Sequence, residues 1–147
     1  MNNKELNLMH EFLYFLCEQS RKITVKGFKN PKKINYKLDG TPVTKFDVQA
    51  ENKIRELITK KFPDHNIFGE ESFYTDNSSD YTWLIDPIDG TKSYAIGRPL
   101  WGTMIALIYK KKPLLGLVDL PSLKEIWLGD NKLFYFNKKK FKSRKNN

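Results

Sequence analysis

One segment constrains this chain more than any other: Trp83-Leu84-Ile85-Asp86-Pro87-Ile88-Asp89-Gly90-Thr91. A strand-like apolar run ends abruptly in two carboxylates three residues apart, inside a Pro/Gly turn. At the end of a buried strand such charges repel one another unless a cation lies between them. No His or Cys is nearby, so the available ligands are all oxygen, which points to a hard divalent ion such as Mg²⁺. Pro87 stiffens the turn, and the Ile88 carbonyl could complete the oxygen shell. Gly90-Thr91 then opens a predicted short helix through Ala95, whose free N–H groups form an anion site suited to phosphate. A second acidic group, Gly69-Glu70-Glu71, follows the strand-like pair Ile67-Phe68. Taken singly, the pieces read more readily as a capped turn and as surface acids; their joint occurrence with Asp47 at a helix start marks a site.

The rest of the chain divides by hydrophobic period. Leu6, Met9, Leu13, Leu16 and Ser20 recur at three- and four-residue intervals, predicting an amphipathic helix over the first 24 residues or so, ended by Gly27 and Pro31. Asn35 to Val43 reads as a loop or short hairpin. Thr44-Lys45-Phe46-Asp47 is a helix-start signature, and the stripe Ala50, Ile54, Leu57, Ile58 carries that helix to Pro63. After the strand-like runs Ile67-Phe68 and Thr82 to Ile85 come four more: Thr103 to Tyr109, Leu114 to Val118, Glu125 to Leu128 and Leu133 to Phe136. Lys110 to Pro113 has hairpin length. No internal repeat or linker interrupts them. The expectation is an α+β fold over residues 1–147, two N-terminal helices packed on a mostly antiparallel sheet.

Composition sets the outer limits. With 147 residues, 39% hydrophobic and 14% aromatic, the chain has room for one packed core, which excludes a disordered chain and a large two-domain enzyme. The net charge of +9 owes much to Lys138, Lys139, Lys140, Lys142, Arg144 and Lys145, without which it falls to +3. Residues 138–147 therefore read as a solvated basic tail, and no aromatic interleaving supports nucleic-acid binding. The apolar run Phe12 to Cys17 is too short for a membrane span and lacks a cleavage site, so a cytoplasmic protein is expected. Cys17 reads as a buried thiol, and His10 and His65 as structural.

The segments Lys37 to Asp47, Gly69 to Ser72 and Trp83 to Thr91 occur in the order and approximate spacing of the inositol monophosphatase family, which the chain resembles over essentially its whole length. The resemblance implies the N-terminal domain of that fold, with a C-terminal α/β domain absent. It implies that Glu70, Asp86 and the Ile88 carbonyl hold one Mg²⁺, and Asp86 and Asp89 a second. Thr91 paired with Asp47 would orient the attacking water, making these two and Glu70 the catalytic set. The N–H groups of Gly90 and Thr91 would cradle the phosphate of a small phosphomonoester beside Glu70, Ile88 and Asp89.

Gly97 to Leu107 and Asp119 to Gly129 look more like the histidinol-phosphate phosphatase branch of histidine biosynthesis than like the inositol enzymes. Family members are roughly twice this long, and their second half supplies a further Asp from a W-D-x-x-A-like motif and most leaving-group contacts. Three readings follow. The chain is an N-terminal half, weakly active or inactive alone, truncated or completed by a separately encoded half, with a homodimer as the other partner expected. It is an inositol-1-phosphate or related sugar phosphatase. Or it is a non-catalytic metal- and phosphate-binding module.

Overall fold

Apolar residues at helical spacing wind the N-terminal segment into α1 (Asn3–Phe28), in a computed structural model that describes residues 3–30, 34–38, 40, 42–130 and 133–141. The helix runs through Gly27 rather than stopping there. A Cβ on Gly27 would lie 2.1 Å from the Tyr94 hydroxyl and 2.4 Å from the Phe46 ring. The missing side chain therefore allows close approach inside a helix, not termination. Tyr94 Oη donates to the Thr24 carbonyl at 2.8 Å across this contact.

The polar stretch after α1 forms a small hairpin, β1 (Ile34–Tyr36) with β2 (Pro42–Thr44). Asp39 and Thr41 of the motif lie outside the described residues. The predicted cap then starts α2 (Lys45–Lys61): Thr44 Oγ1 accepts from Phe46 N, and the Thr44 N–H donates to Asp47 Oδ2 at 2.9 Å.

The remaining strands pair in chain order in one seven-stranded sheet: β3 (Asn66–Gly69), β4 (Tyr81–Asp89), β5 (Gly102–Tyr109), β6 (Lys112–Leu120), β7 (Glu125–Asp130), β8 (Phe134–Phe136) and β9 (Lys139–Phe141). Only β3 and β4 are parallel; the other pairs are antiparallel, as expected. The short helix α3 (Thr91–Ala95) leaves the end of β4. Lys110 and Lys111 join β5 to β6 with φ of 47° and 63°, the left-handed pair that a two-residue hairpin's twist demands. The sequence reads Leu133 to Lys142 as a strand pair, and β9 pairs with β8 from Phe134↔Phe141 to Phe136↔Lys139, its residues exposed. Lys142, Arg144 and Lys145 lie outside the described residues. No described helix is long and apolar enough to cross a membrane.

One face of the sheet presents Trp83, Ile85, Ile105, Leu107, Leu117 and Leu128 to Leu13, Leu16, Cys17, Ile54 and Ile58 of α1 and α2. Each of these large side chains contributes about 1.5–3 kcal/mol by leaving water. Polar ties cross the same layer: Arg21 Nε donates to the fully buried Asp119 at 2.9 Å, and His10 Nε2 lies 3.0 Å from Asp130 Oδ2. The other face is also apolar. Between the core residues, β4 to β7 alternate Leu84, Met104, Ala106, Val118 and Trp127, and Phe68 of β3 is 56% exposed. An antiparallel sheet with one solvated face carries polar residues there; apolar residues on both faces are the pattern of a sheet covered twice.

His65 sits beneath the helix layer, stacked between Phe62 and Tyr81 at 4.7 Å from each, with Nδ1 accepting from Trp83 Nε1 at 3.1 Å. Burial pushes its imidazole below the ordinary 6.5. Its neutral form is the one the fold uses, so stability is present above pH 6.5 and declines as pH falls through the unfolded value toward the lower folded one. The urea midpoint of the wild type relative to that of His65→Phe should fall between pH 7 and pH 5, since the carboxyls whose pKa burial raises are common to both proteins.

Candidate functional site

The geometry starts with an irregularity in β4. Asp86 pairs with Met104 and Asp89 with Gly102, so Pro87 and Ile88 together oppose the single residue Thr103. This is a β-bulge inside the strand, where a simple turn at the strand end is expected from sequence. Its consequence is decisive for the carboxylates. In a regular strand, residues three apart point to opposite faces. The extra residue restores them to one side: Ile85 and Ile88 enter the buried clusters, while Asp86 and Asp89 face away from them. Proline suits this position, because the bulged residue has no ladder partner for an N–H.

Glu70 reaches the same place from β3. Its N–H bonds the Ile85 carbonyl at 3.1 Å, extending the parallel ladder by one residue. Burial, the adjacent Glu70 carboxylate and Asp89 push the Asp86 carboxyl up to about 8 from 3.8. Asp86 Oδ1 is buried without a hydrogen-bond partner among the described residues.

Two residues that sequence reasoning did not assign to the site hold Glu70 and Glu71. Glu51, fully buried on α2, accepts from Glu71 N at 2.7 Å and from Arg55 Nε at 2.8 Å. Gly69 is a glycine because a Cβ there would fall 2.2 Å from the Glu51 carboxylate. The signal was present, since an acid stands on the α2 stripe where an apolar residue is expected. Lys37, beyond β1, bonds Glu70 Oε1 at 3.2 Å and Glu71 Oε1 at 2.9 Å.

On the other side of the bulge, the expected Asp47–Thr91 pair is present. Thr91 Oγ1 lies 3.3 Å from Asp47 Oδ1 and 3.0 Å from the Ile88 carbonyl. Asp47 also keeps its capping role, and its Oδ2 accepts from Thr44 Oγ1 at 2.5 Å. Both residues are buried; burial raises the Asp47 pKa in spite of these hydrogen bonds. Gly90, with φ of 80°, turns β4 into α3, and a Cβ there would stand 3.1 Å from the Leu100 carbonyl. The positive φ disfavours a side chain, and the Leu100 carbonyl would have to give way to one by a few tenths of an ångström.

The donor set fits a hard divalent cation. Its ligand atoms are oxygens, and Asp86, whose Oδ1 is unpartnered among the described residues, has the carboxylates of Glu70 and Asp89 as neighbours. Among the described residues, however, no three His, Cys, Asp or Glu side chains already converge on one point at ligand spacing. A shallow groove of about 540 Å³ leads from Glu70 and Asp86 onto the open apolar face, past Phe68, Leu84, Met104 and Val118.

The fold and the acidic strand end beside a glycine-started helix together define the family. The chain belongs to the inositol monophosphatase family, whose pattern matches residues 5–147. Its relatives include the chloroplastic bifunctional phosphatase IMPL2 of Arabidopsis thaliana, 46% identical over 118 residues, which cover 79% of this chain and 34% of that protein. A histidinol-phosphatase of Chlorobaculum parvum is 42% identical over 113 residues, covering 76% and 44%. Among solved structures, an inositol monophosphatase of Zymomonas mobilis superposes with a TM-score of 0.78 at 31% identity, covering 100% of this chain and 56% of that one. The IMPase of Thermotoga maritima gives 0.85 at 27%, covering 94% and 54%. The chain thus spans under half the length of these two curated relatives.

Asp86→Asn removes a buried like charge, so the metal-free variant should melt a few degrees above the wild type at pH 8. Added Mg²⁺ should raise the wild-type midpoint and leave that of the variant in place. Differential scanning calorimetry with EDTA or with Mg²⁺ checks both.

Proposed function

We propose that this chain is the N-terminal, metal- and phosphate-binding half of a Mg²⁺-dependent phosphomonoesterase of the histidinol-phosphate type, acting in the cytoplasm. One observation carries the reading: the bulge turns Asp86 and Asp89 to one side, near Glu70, and leaves Asp86 Oδ1 buried without a hydrogen-bond partner among the described residues. Glu70, Asp86, the Ile88 carbonyl and Asp89 would hold the cations. When bound, these supply neutralisation of the phosphoryl oxygens and a lowered pKa for water.

The remaining work falls to the chain's own groups. The N–H groups of Gly90 and Thr91 receive phosphoryl oxygens, and a glycine at φ of 80° suits that turn. Thr91 Oγ1, held between Asp47 and the Ile88 carbonyl, orients the water for in-line attack. Burial makes Asp47 a stronger proton acceptor than an exposed carboxylate. The substrate class follows the similarity to proteins named histidinol-phosphatase. A relative of Aquifex aeolicus is named fructose-1,6-bisphosphatase/inositol-1-monophosphatase, which keeps inositol 1-phosphate as the comparison substrate.

Completion by a further layer of structure is part of the reading, and the open apolar face supports it. Phe68, Leu84, Met104 and Val118 run directly from the acidic cluster across the sheet. Packing a further layer there would bury them and close the groove beside Glu70.

Phosphate release is measured with Mg²⁺ and histidinol phosphate or inositol 1-phosphate, for the chain alone and with the segment of the Chlorobaculum parvum enzyme beyond its match. Alone, the chain should give little or no product; with the added segment, histidinol phosphate should be hydrolysed in preference. Turnover by the isolated chain at about 10 per second would sink the half-enzyme reading. Calorimetric Mg²⁺ binding that survives Asp86→Asn with Asp89→Asn would sink the metal assignment.

A further inference from the structure

The bulge in β4 has a brace that the catalytic reading does not use. Thr103, the single residue opposite Pro87 and Ile88, is fully buried. Its Oγ1 donates to the Pro87 carbonyl at 2.8 Å. Behind it stands Ser20 of α1, also fully buried, with Oγ 3.1 Å from Thr103 Oγ1. Thr103 has one hydroxyl proton and spends it on Pro87, so Ser20 is the donor to Thr103. Two hydroxyls in series thus connect the helix layer to the backbone of the bulge.

The position of this chain matters more than its energy. A bulge interrupts the ladder, and the Pro87 carbonyl lies where one strand has two residues and its neighbour one. A side chain reaching across from β5 supplies a bond there. Moreover, Pro87 lies between Asp86 and Asp89, so a shift of its peptide rotates both carboxylates and the Ile88 carbonyl. Gly102, the next residue toward the site, is packed so closely that a Cβ would fall 2.6 Å from the Asp119 carbonyl. The β5 backbone therefore has little room to follow a moving bulge, and the Thr103 hydroxyl is the adjustable link.

We propose that Thr103, backed by Ser20, is a positioning residue that holds the β4 bulge in the form that turns Asp86, the Ile88 carbonyl and Asp89 toward the proposed cations. The cations in this statement rest on the proposed function; the control of the bulge does not.

Thr103→Val keeps the shape and removes the hydroxyl, whereas Thr103→Ser keeps the hydroxyl. Mg²⁺ affinity is measured by titration calorimetry, and the amide signals of Ile88, Asp89, Gly90 and Thr91 by two-dimensional NMR of the metal-free protein. Thr103→Val should weaken Mg²⁺ binding about tenfold, the size of effect expected on removing a group that orients a metal ligand, and should move those four signals. Thr103→Ser should bind within twofold of the wild type with the signals in place. Wild-type affinity in Thr103→Val, or equal loss in Thr103→Ser, overturns the proposal. If the wild type itself binds no Mg²⁺, the proposed function fails, and the metal-free spectra decide this inference alone: unmoved signals in Thr103→Val overturn it. Should Thr103→Val not fold, Ser20→Ala takes its place, with movement of the same signals supporting the brace and their constancy overturning it.

Discussion

Repulsion among carboxylates at the end of a buried strand is the constraint around which this structure is arranged. Asp86 sits beside Glu70 and within range of Asp89, and its carboxyl is pushed up to about 8 by burial and by those neighbours. A chain selected only for stability would replace it with an apolar or amide side chain. Retaining the acids stores a local electrostatic cost that a divalent cation is suited to relieve. The surrounding elements fix where the acids stand: a bulge aims Asp86 and Asp89 to one side, and a buried Glu51 anchors the backbone that carries Glu70.

Support for this arrangement comes from the helix layer. Alongside its apolar stripes, α1 sends Arg21 to Asp119, Ser20 to Thr103 and the Thr24 carbonyl to Tyr94, while α2 sends Asp47 to Thr91 and Glu51 to Glu71. These contacts join residues far apart in sequence and buried in the fold, where an unsatisfied partner costs about 1–3 kcal/mol. The helices therefore serve both as the cover of the sheet's inner face and as the frame of its acidic end. The outer face has no such frame among the described helices, and its apolar residues continue without a break from the acidic groove toward Trp127.

Much of the fold was legible because it depends on local periodicity. The α2 cap at Thr44 and Asp47, the strands around Trp83 and Ile105, and the short helix after Gly90 all follow from residue type and spacing. Errors fell where a distant contact overrode a local signal. Gly27 looks like a helix stop, yet Tyr94 and Phe46 need its empty side-chain position. Pro87 looks like the middle of a turn, yet its strand continues past it, because β5 supplies a partner on both sides of the bulge.

The candidate site divides in the same way. By itself the sequence determined which groups are present: an all-oxygen set of Glu70, Asp86, Asp89 and the Ile88 carbonyl, a glycine-started helix, and an Asp47 placed at a helix start. Those are matters of composition and short-range spacing. Only the tertiary structure decided which way they face. Asp86 and Asp89, three apart, would point to opposite sides of a regular strand; one unpaired residue opposite Thr103 turns them to the same side. Glu51 and Lys37 joined the site only when α2 and the β1 hairpin folded against Gly69 to Glu71. Orientation is set by pairing register and packing between distant segments, and neither is written in the neighbourhood of the residues it controls.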